Sequence, residues 1–234
     1  SHPPGAPFFQ LLGSILPIAY ISPLFSGLSV MMLYYICVYV LSRFSQMYPG
    51  IITSSIIGAL TFAVLDSQWF CANETDVYPL SLLLSLLSIW LTIKWTQTHR
   101  VNYLILICLI LGLSLCVHQL TLLSLPAICL IIYFDKRKTN FKGALLYLFI
   151  SLLLIVLIQF LLPIFLIWIL SEYAILKIII FSLILAFLIV VAYKKSKPIL
   201  LYTILGLIFL IIGSSIYLII PIRSNAGVPL NQYS

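Results

Sequence analysis

The stretch VNYLILICLILGLSLCVHQLTLLSLPAICLIIYFDKRK, residues 101–138, decides how this chain is folded. As a single helix its apolar part, 101–134, would be about 50 Å long, too long for a bilayer core of roughly 30 Å. The polar pair His118-Gln119 breaks it near the middle. A tight hairpin there makes two spans and returns Lys136-Arg137-Lys138 to the same membrane face as Arg100. Without that turn the two basic groups would lie on opposite faces.

The same rule threads the rest of the chain. The basic loops hold Arg43, then Lys94 and Arg100, then Lys136, Arg137, Lys138 and Lys142, then Lys194, Lys195 and Lys197, which leaves only Lys177 and Arg223 of the 12 basic residues elsewhere. Of the five acids, Asp66, Glu74, Asp76 and Glu172 fall on the opposite face and Asp135 joins the bases. Positive loops stay cytoplasmic, so the acid-bearing face is expected to be non-cytoplasmic. Eight apolar runs are expected as transmembrane helices: 24–41, 51–65, 77–95, 101–117, 120–134, 143–170, 173–193 and 198–222. Pro163 is expected to kink the sixth near its outer end. The segment 8–20, broken by Gly13 and Pro17, is too short to cross and is expected as an outer interfacial or re-entrant element. The organisation is then an outer loop and interfacial segment over 1–23, a transmembrane core over 24–222, and the start of an outer loop over 223–234. The chain begins without Met and ends in a polar run, so it reads as a piece of a longer protein.

Composition excludes whole classes of function. The chain is 63% hydrophobic and 7% charged, with a mean hydropathy of +1.23, whereas soluble domains carry about a quarter charged residues. Its net charge of +7 resides mostly in the basic loops, so it reports topology and not nucleic-acid binding. The five cysteines contain no CxxC pair, and four lie in apolar runs, where Cys acts as a small hydrophobe. No ionisable residue falls near the middle of a span, where coupled transporters keep them.

Four outer stretches carry chemistry: His2-Pro3-Pro4-Gly5 with Pro7; Asn73-Glu74-Thr75-Asp76-Val77-Tyr78; His118-Gln119; and Pro221-Ile222-Arg223-Ser224-Asn225. The Pro-Pro-Gly run makes a stiff turn. Glu74 and Asp76 at a span mouth suit a shared cation, Mg or Mn, or a solvated loop pair. His118 fits a turn as readily as a cavity wall. Arg223, the outer-face arginine, suits bidentate contact with a phosphate, and snorkelling from a helix end gives the same placement.

In this order the blocks HPPGAP, ETDVYPLSLLL, GLSLCVHQLTLLSLPA and PIRSNAGVPLN resemble a family of bacterial membrane proteins. First catalogued as a domain of unknown function, the family is now grouped with protein O-mannosyltransferases of the GT-C superfamily, and its Bacteroidetes-type members are the most similar. The resemblance implies an all-α polytopic glycosyltransferase. Such an enzyme takes a sugar, mannose, from a polyprenyl-phosphate donor and transfers it to Ser/Thr of secreted or periplasmic proteins. It implies a bacterial inner-membrane location with a periplasmic active face.

It also implies roles for residues. Glu74 and Asp76 match an acidic motif, where the family more often has Glu at the second position. Arg223 is expected to bind the donor phosphate, and His2, Tyr78, His118 and Asn225 to line the cavity. The catalytic base is expected upstream of Ser1, so this piece alone is expected to be inactive. The tail reads Gly227-Val228-Pro229 where the family has Asn-Pro-Pro. Two other readings stand beside this one: a polytopic transporter or lipid flippase, and a non-catalytic membrane scaffold subunit.

Overall fold

The computed structural model describes residues 6–136, 140–194 and 196–220, apart from the side chains of Ile18, Lys136 and Leu170. These residues form α1 (Pro7–Ile15), α2 (Ile18–Leu41), α3 (Tyr48–Ala63), α4 (Asp66–Asn73), α5 (Tyr78–Thr98), α6 (Val101–Leu115), a 3-10 turn (Gln119–Ser124), α7 (Leu125–Lys136), α8 (Phe141–Leu170), α9 (Ala174–Lys194) and α10 (Pro198–Ser214). No strand occurs among the described residues, and the chain is an all-α polytopic membrane protein. Proline opens several helices: Pro7, Pro49 and Pro198 sit in first turns, where the missing N–H has no intrahelical partner to lose.

The eight expected spans differ in length. Among the described residues five helices are long and apolar enough to cross: α2, α5, α8, α9 and α10 with its extension to Leu218. Helices α3 and α4 qualify only jointly, across a 60° bend. The expected spans at 101–117 and 120–134 are shorter apolar helices, Val101–Leu115 and Gln119–Asp135, the second opening with the 3-10 turn. The first measures about 22 Å at 1.5 Å per residue, and the second about 28 Å with its 3-10 residues rising about 2.0 Å each. An apolar run reports what can sit in lipid; it does not report where the helix stops. The interruption at His118 is present, as a turn at residues 116–117 followed by the 3-10 turn. Helix α8, 30 residues long, runs unbroken through Pro163.

The described residues divide into two units, and the boundary falls inside α5 after Trp90. The first contains 6–90, 116–124 and 216–220. Its organiser is α2, which packs on α1, α3 and α4. This helix is apolar nearly all round, as a membrane helix is, yet Ser22, Ser26 and Ser29 are buried. Their spacing of four and three residues places them on one helical face. Ser81, Ser85 and Ser88 repeat that spacing on α5. At the basic end, Arg43 Nη2 donates to Tyr39 Oη at 2.6 Å, and Tyr39 meets Trp90 edge-on at 6.2 Å. This is the aromatic and cationic anchoring typical of a membrane interface.

The second unit contains Leu91–Leu115 and Leu125–Ser215. Helices α6 and α10 cross with Gly112 and Gly213 at the contact. A Cβ on Gly112 would meet the Leu210 carbonyl, with Ser214 N 3.0 Å away, and one on Gly213 would lie 2.7 Å from Leu113 N. Glycines let two backbones approach this closely, which is how helices associate where lipid removes the hydrophobic drive. Lys177 caps α8: its Nζ donates to Trp168 O at 3.0 Å and Ser171 Oγ at 2.6 Å, and lies over the Trp168 ring. A cation there is favoured by the negative end of the helix dipole.

Candidate functional site

The site is built in the first unit from the turn that joins α4 to α5. Helix α4 departs from the α3 span at the bend, beginning after an extended Leu65 and carrying Asp66 in its first turn. Its last turn delivers Glu74, which is exposed, with its N–H bonded to Phe70 O at 3.1 Å.

Two residues on, Asp76 is held from both sides. Ser22 Oγ on α2 donates to Asp76 O and accepts from Asp76 N, both at 3.0 Å. The Asp76 carboxylate accepts from Val77 N at 2.6 Å and Tyr78 N at 3.4 Å. It thereby answers N–H groups at the start of α5 that have no intrahelical acceptor. The expected acid is present at the span mouth, but its carboxylate also organises a helix.

The second expected group comes from the interruption after α6. His118 Nδ1 accepts from Leu120 N at 3.2 Å, which starts the 3-10 turn. In the neutral imidazole the proton then sits on Nε2. The ring packs against Tyr78 with centroids 5.0 Å apart. Below it, Thr121 Oγ1 donates to Ser81 O at 3.0 Å and lies 2.9 Å from Ser81 Oγ. Phe8 N donates to Cys116 O at 3.1 Å, so α1 is tied to the same turn.

Between α4, the start of α5 and the 3-10 turn lies a cavity of about 320 Å³. Helix α4 contributes Ser67, Gln68 and Cys71, and α5 contributes Tyr78, Pro79, Ser81, Leu82 and Ser85. Leu120 lines it from the turn. Gln68 is buried, with Nε2 donating to Ser26 Oγ at 2.7 Å. Burial pushes the Cys71 thiol pKa up, and repulsion from the Asp76 and Glu74 carboxylates pushes it further.

The structure thus joins Asp76, Tyr78 and His118 in one corner of the fold and sets Glu74 at its edge. His2, Arg223 and Asn225 lie outside the described residues. Among the described residues no three His, Cys, Asp or Glu side chains stand close enough to hold a metal ion. Asp76 Oδ1 is engaged at the start of α5. Sequence reasoning missed Ser22, Gln68, Ser81 and Thr121. The repeated i, i+4, i+7 serine spacing on α2 and α5 was the available signal.

Residues 1–141 match the family model for the protein O-mannosyl-transferase TMEM260 N-terminal domain. No curated protein matches the chain, and no solved structure does. The matched range contains every residue of the acid turn and the cavity, and ends before Arg223.

Proposed function

From the premise that this chain belongs to the protein O-mannosyl-transferase TMEM260 N-terminal domain family, we propose that it serves sugar transfer from a polyprenyl-phosphate donor. The acceptor is a Ser or Thr hydroxyl of a protein, on the non-cytoplasmic face of a bacterial inner membrane, in a core of GT-C type. In the reaction the acceptor oxygen forms a bond to the anomeric carbon as the carbon–oxygen bond to phosphate breaks. The bonding pair leaves with the polyprenyl phosphate, and the hydroxyl proton passes to a carboxylate.

The observation that carries this reading is the Ser22-clamped acid turn beside a hydroxyl-lined cavity, both within the family match. A fixed turn holds its groups where charge develops, which is worth more than the same groups in a flexible loop. Glu74 is the acid exposed at this edge, and Asp76 sets the geometry of α5. The polarity of the loops supports a non-cytoplasmic site, because the acids sit opposite the basic loops. Arg223 is assigned to the leaving phosphate, whose two oxygens a guanidinium can bond at once.

The test is mannose transfer to a Ser/Thr acceptor peptide, measured in membranes containing the full-length enzyme, wild type or variant. Glu74→Gln keeps the shape and removes the charge; it is expected to lower transfer while leaving expression and membrane insertion intact. Asp76→Asn is expected to lower transfer through the loosened start of α5. Wild-type transfer in the double variant would refute the assignment of this turn to the active site.

A further inference from the structure

Helix α4 has two unlike faces. Ser67, Gln68 and Cys71 line the cavity. Asp66, Trp69, Phe70 and Asn73 share the opposite side of the helix, and all four are exposed. Trp69 is 63% and Phe70 59% exposed, a large aromatic surface for a helix of eight residues. The patch is not isolated. Ile57, Leu60 and Val64 form an exposed apolar stripe on α3, which reaches it through the exposed Leu65. In a polytopic membrane protein such a stripe is solvated by lipid, and the α4 patch continues that surface to its end.

The depth of the patch follows from α2. Tyr20 and Tyr39 lie about 28 Å apart along the helix at 1.5 Å per residue, close to one bilayer core. Tyr39 holds Arg43 at the basic end, so Tyr20, 70% exposed, marks the boundary of the other leaflet. Ser26 lies about 9 Å inside that level and Ser22 about 3 Å. Gln68 is bonded to Ser26 and Asp76 to Ser22, so the chain climbs from the first depth to the second. The 60° bend agrees with this. An eight-residue helix at that angle advances only about 6 Å along the direction of α3.

Interfacial helices sink their apolar side about 5–10 Å into the headgroup–acyl boundary, the same range. Trp is enriched at that level because its ring is apolar and its edge donates a hydrogen bond. Asp66 and Asn73 beside it need water or headgroups, which the hydrocarbon core does not offer.

We propose that α4 is an interfacial helix that seats Trp69 and Phe70 in the leaflet opposite Arg43, so that the cavity on its other face opens at headgroup depth. The partner is the phospholipid surface itself, and the inference stands whatever the site transfers.

The test is fluorine NMR of the full-length protein, labelled with fluorotryptophan and held in phosphatidylcholine nanodiscs. The Trp69 resonance is identified by its loss in Trp69→Phe, a mild change at an exposed position. Three paramagnetic agents are compared: a lipid labelled near its glycerol, a lipid labelled at its chain end, and a water-soluble chelate. The glycerol-end label is expected to broaden Trp69 most. Strongest broadening by the chain-end label would make α4 the last turns of a span and overturn the proposal. Strongest broadening by the chelate would put the patch in water, and no broadening by any agent would mean that protein covers it; either result also overturns the proposal. A trifluoromethyl tag on Cys71, assigned by its loss in Cys71→Ser, reads the cavity in the same way. It is expected to respond to the glycerol-end label, and a response to the chelate alone would overturn the depth assigned to the cavity.

Discussion

The α6–α10 crossing permits a prediction whose sign is opposite to that of an ordinary helix substitution. A methyl group on Gly213 would lie 2.7 Å from Leu113 N and 3.0 Å from Gly112 C, and would meet Leu109 O. Carbon contacts are comfortable from about 3.5 Å, so Gly213→Ala must push the two helices apart by roughly 0.5–1 Å at this point. The obstacles are backbone atoms that no rotamer change can move. Overpacking of this kind costs about 1–3 kcal/mol, and Ala regains about 0.8–1.0 kcal/mol of helix propensity over Gly. The net expectation is destabilisation by about 1–2 kcal/mol, taken toward the upper end because the clash is with main chain. Gly58 on α3 has nothing within 4 Å of an added Cβ, so Gly58→Ala should stabilise by about 0.5–1 kcal/mol through propensity alone.

Gly112→Ala should resemble Gly213→Ala, since its Cβ would lie 3.0 Å from both Leu210 C and Ser214 N. One separation of the helices relieves both clashes, so the double variant should cost less than the sum by about 0.5 kcal/mol or more. The assay is reversible unfolding in mixed detergent micelles, with the wild type and the four variants compared at matched composition. Stabilisation by Gly213→Ala comparable to that by Gly58→Ala, or full additivity of the two crossing variants, would refute the close approach.

Three further outcomes are expected. At a fixed pH near neutrality Cys71 should react slowly with maleimide, because burial and two carboxylates raise its pKa and a raised thiol pKa means less thiolate. Glu74→Gln and Asp76→Asn should each accelerate the reaction, and unchanged rates in both would deny that these acids face the thiol. Arg223→Lys should weaken donor saturation and Arg223→Ala should weaken it more, by about 1.5–3 kcal/mol for a charged hydrogen bond; unchanged donor kinetics in both would leave Arg223 a membrane anchor. A cysteine reporter at Thr75 should react with an impermeant reagent from the non-cytoplasmic side and one at Arg137 only from the cytoplasmic side, and the opposite pattern would overturn the charge-based topology.

Hydropathy served the sequence reading well where polar residues bracket an apolar run. The expected span at 77–95 became Tyr78–Thr98, and that at 173–193 became Ala174–Lys194. Lipid solvates side chains almost uniformly, so such a run must be helical throughout and its ends follow the charges. The same uniformity concealed the rest. The apolar run 51–65 gives way to Asp66-Ser67-Gln68 just where the chain bends, but no hydropathy scale carries the 60° angle or the packing of α4 on α2. The acid turn and His118 were legible as polar breaks in an apolar chain. Their supports were not, since Ser22, Ser81 and Thr121 read as neutral filler on any hydropathy scale and acquire meaning only through partners 54 and 40 residues distant.

For anyone engineering this protein, the Ser22 clamp sets a trap. Serines inside membrane helices are natural targets for replacement by Ala or Leu, since the change improves helix propensity and partitioning into lipid. Ser22→Ala should pass every screen for expression and insertion. It would also strip the Asp76 peptide of an acceptor for its N–H and a donor for its carbonyl, leaving the turn free to drift. A library selected for yield would therefore accumulate well-behaved proteins with a misaligned acid. Such selections should hold the two serine ladders, 22/26/29 and 81/85/88, constant.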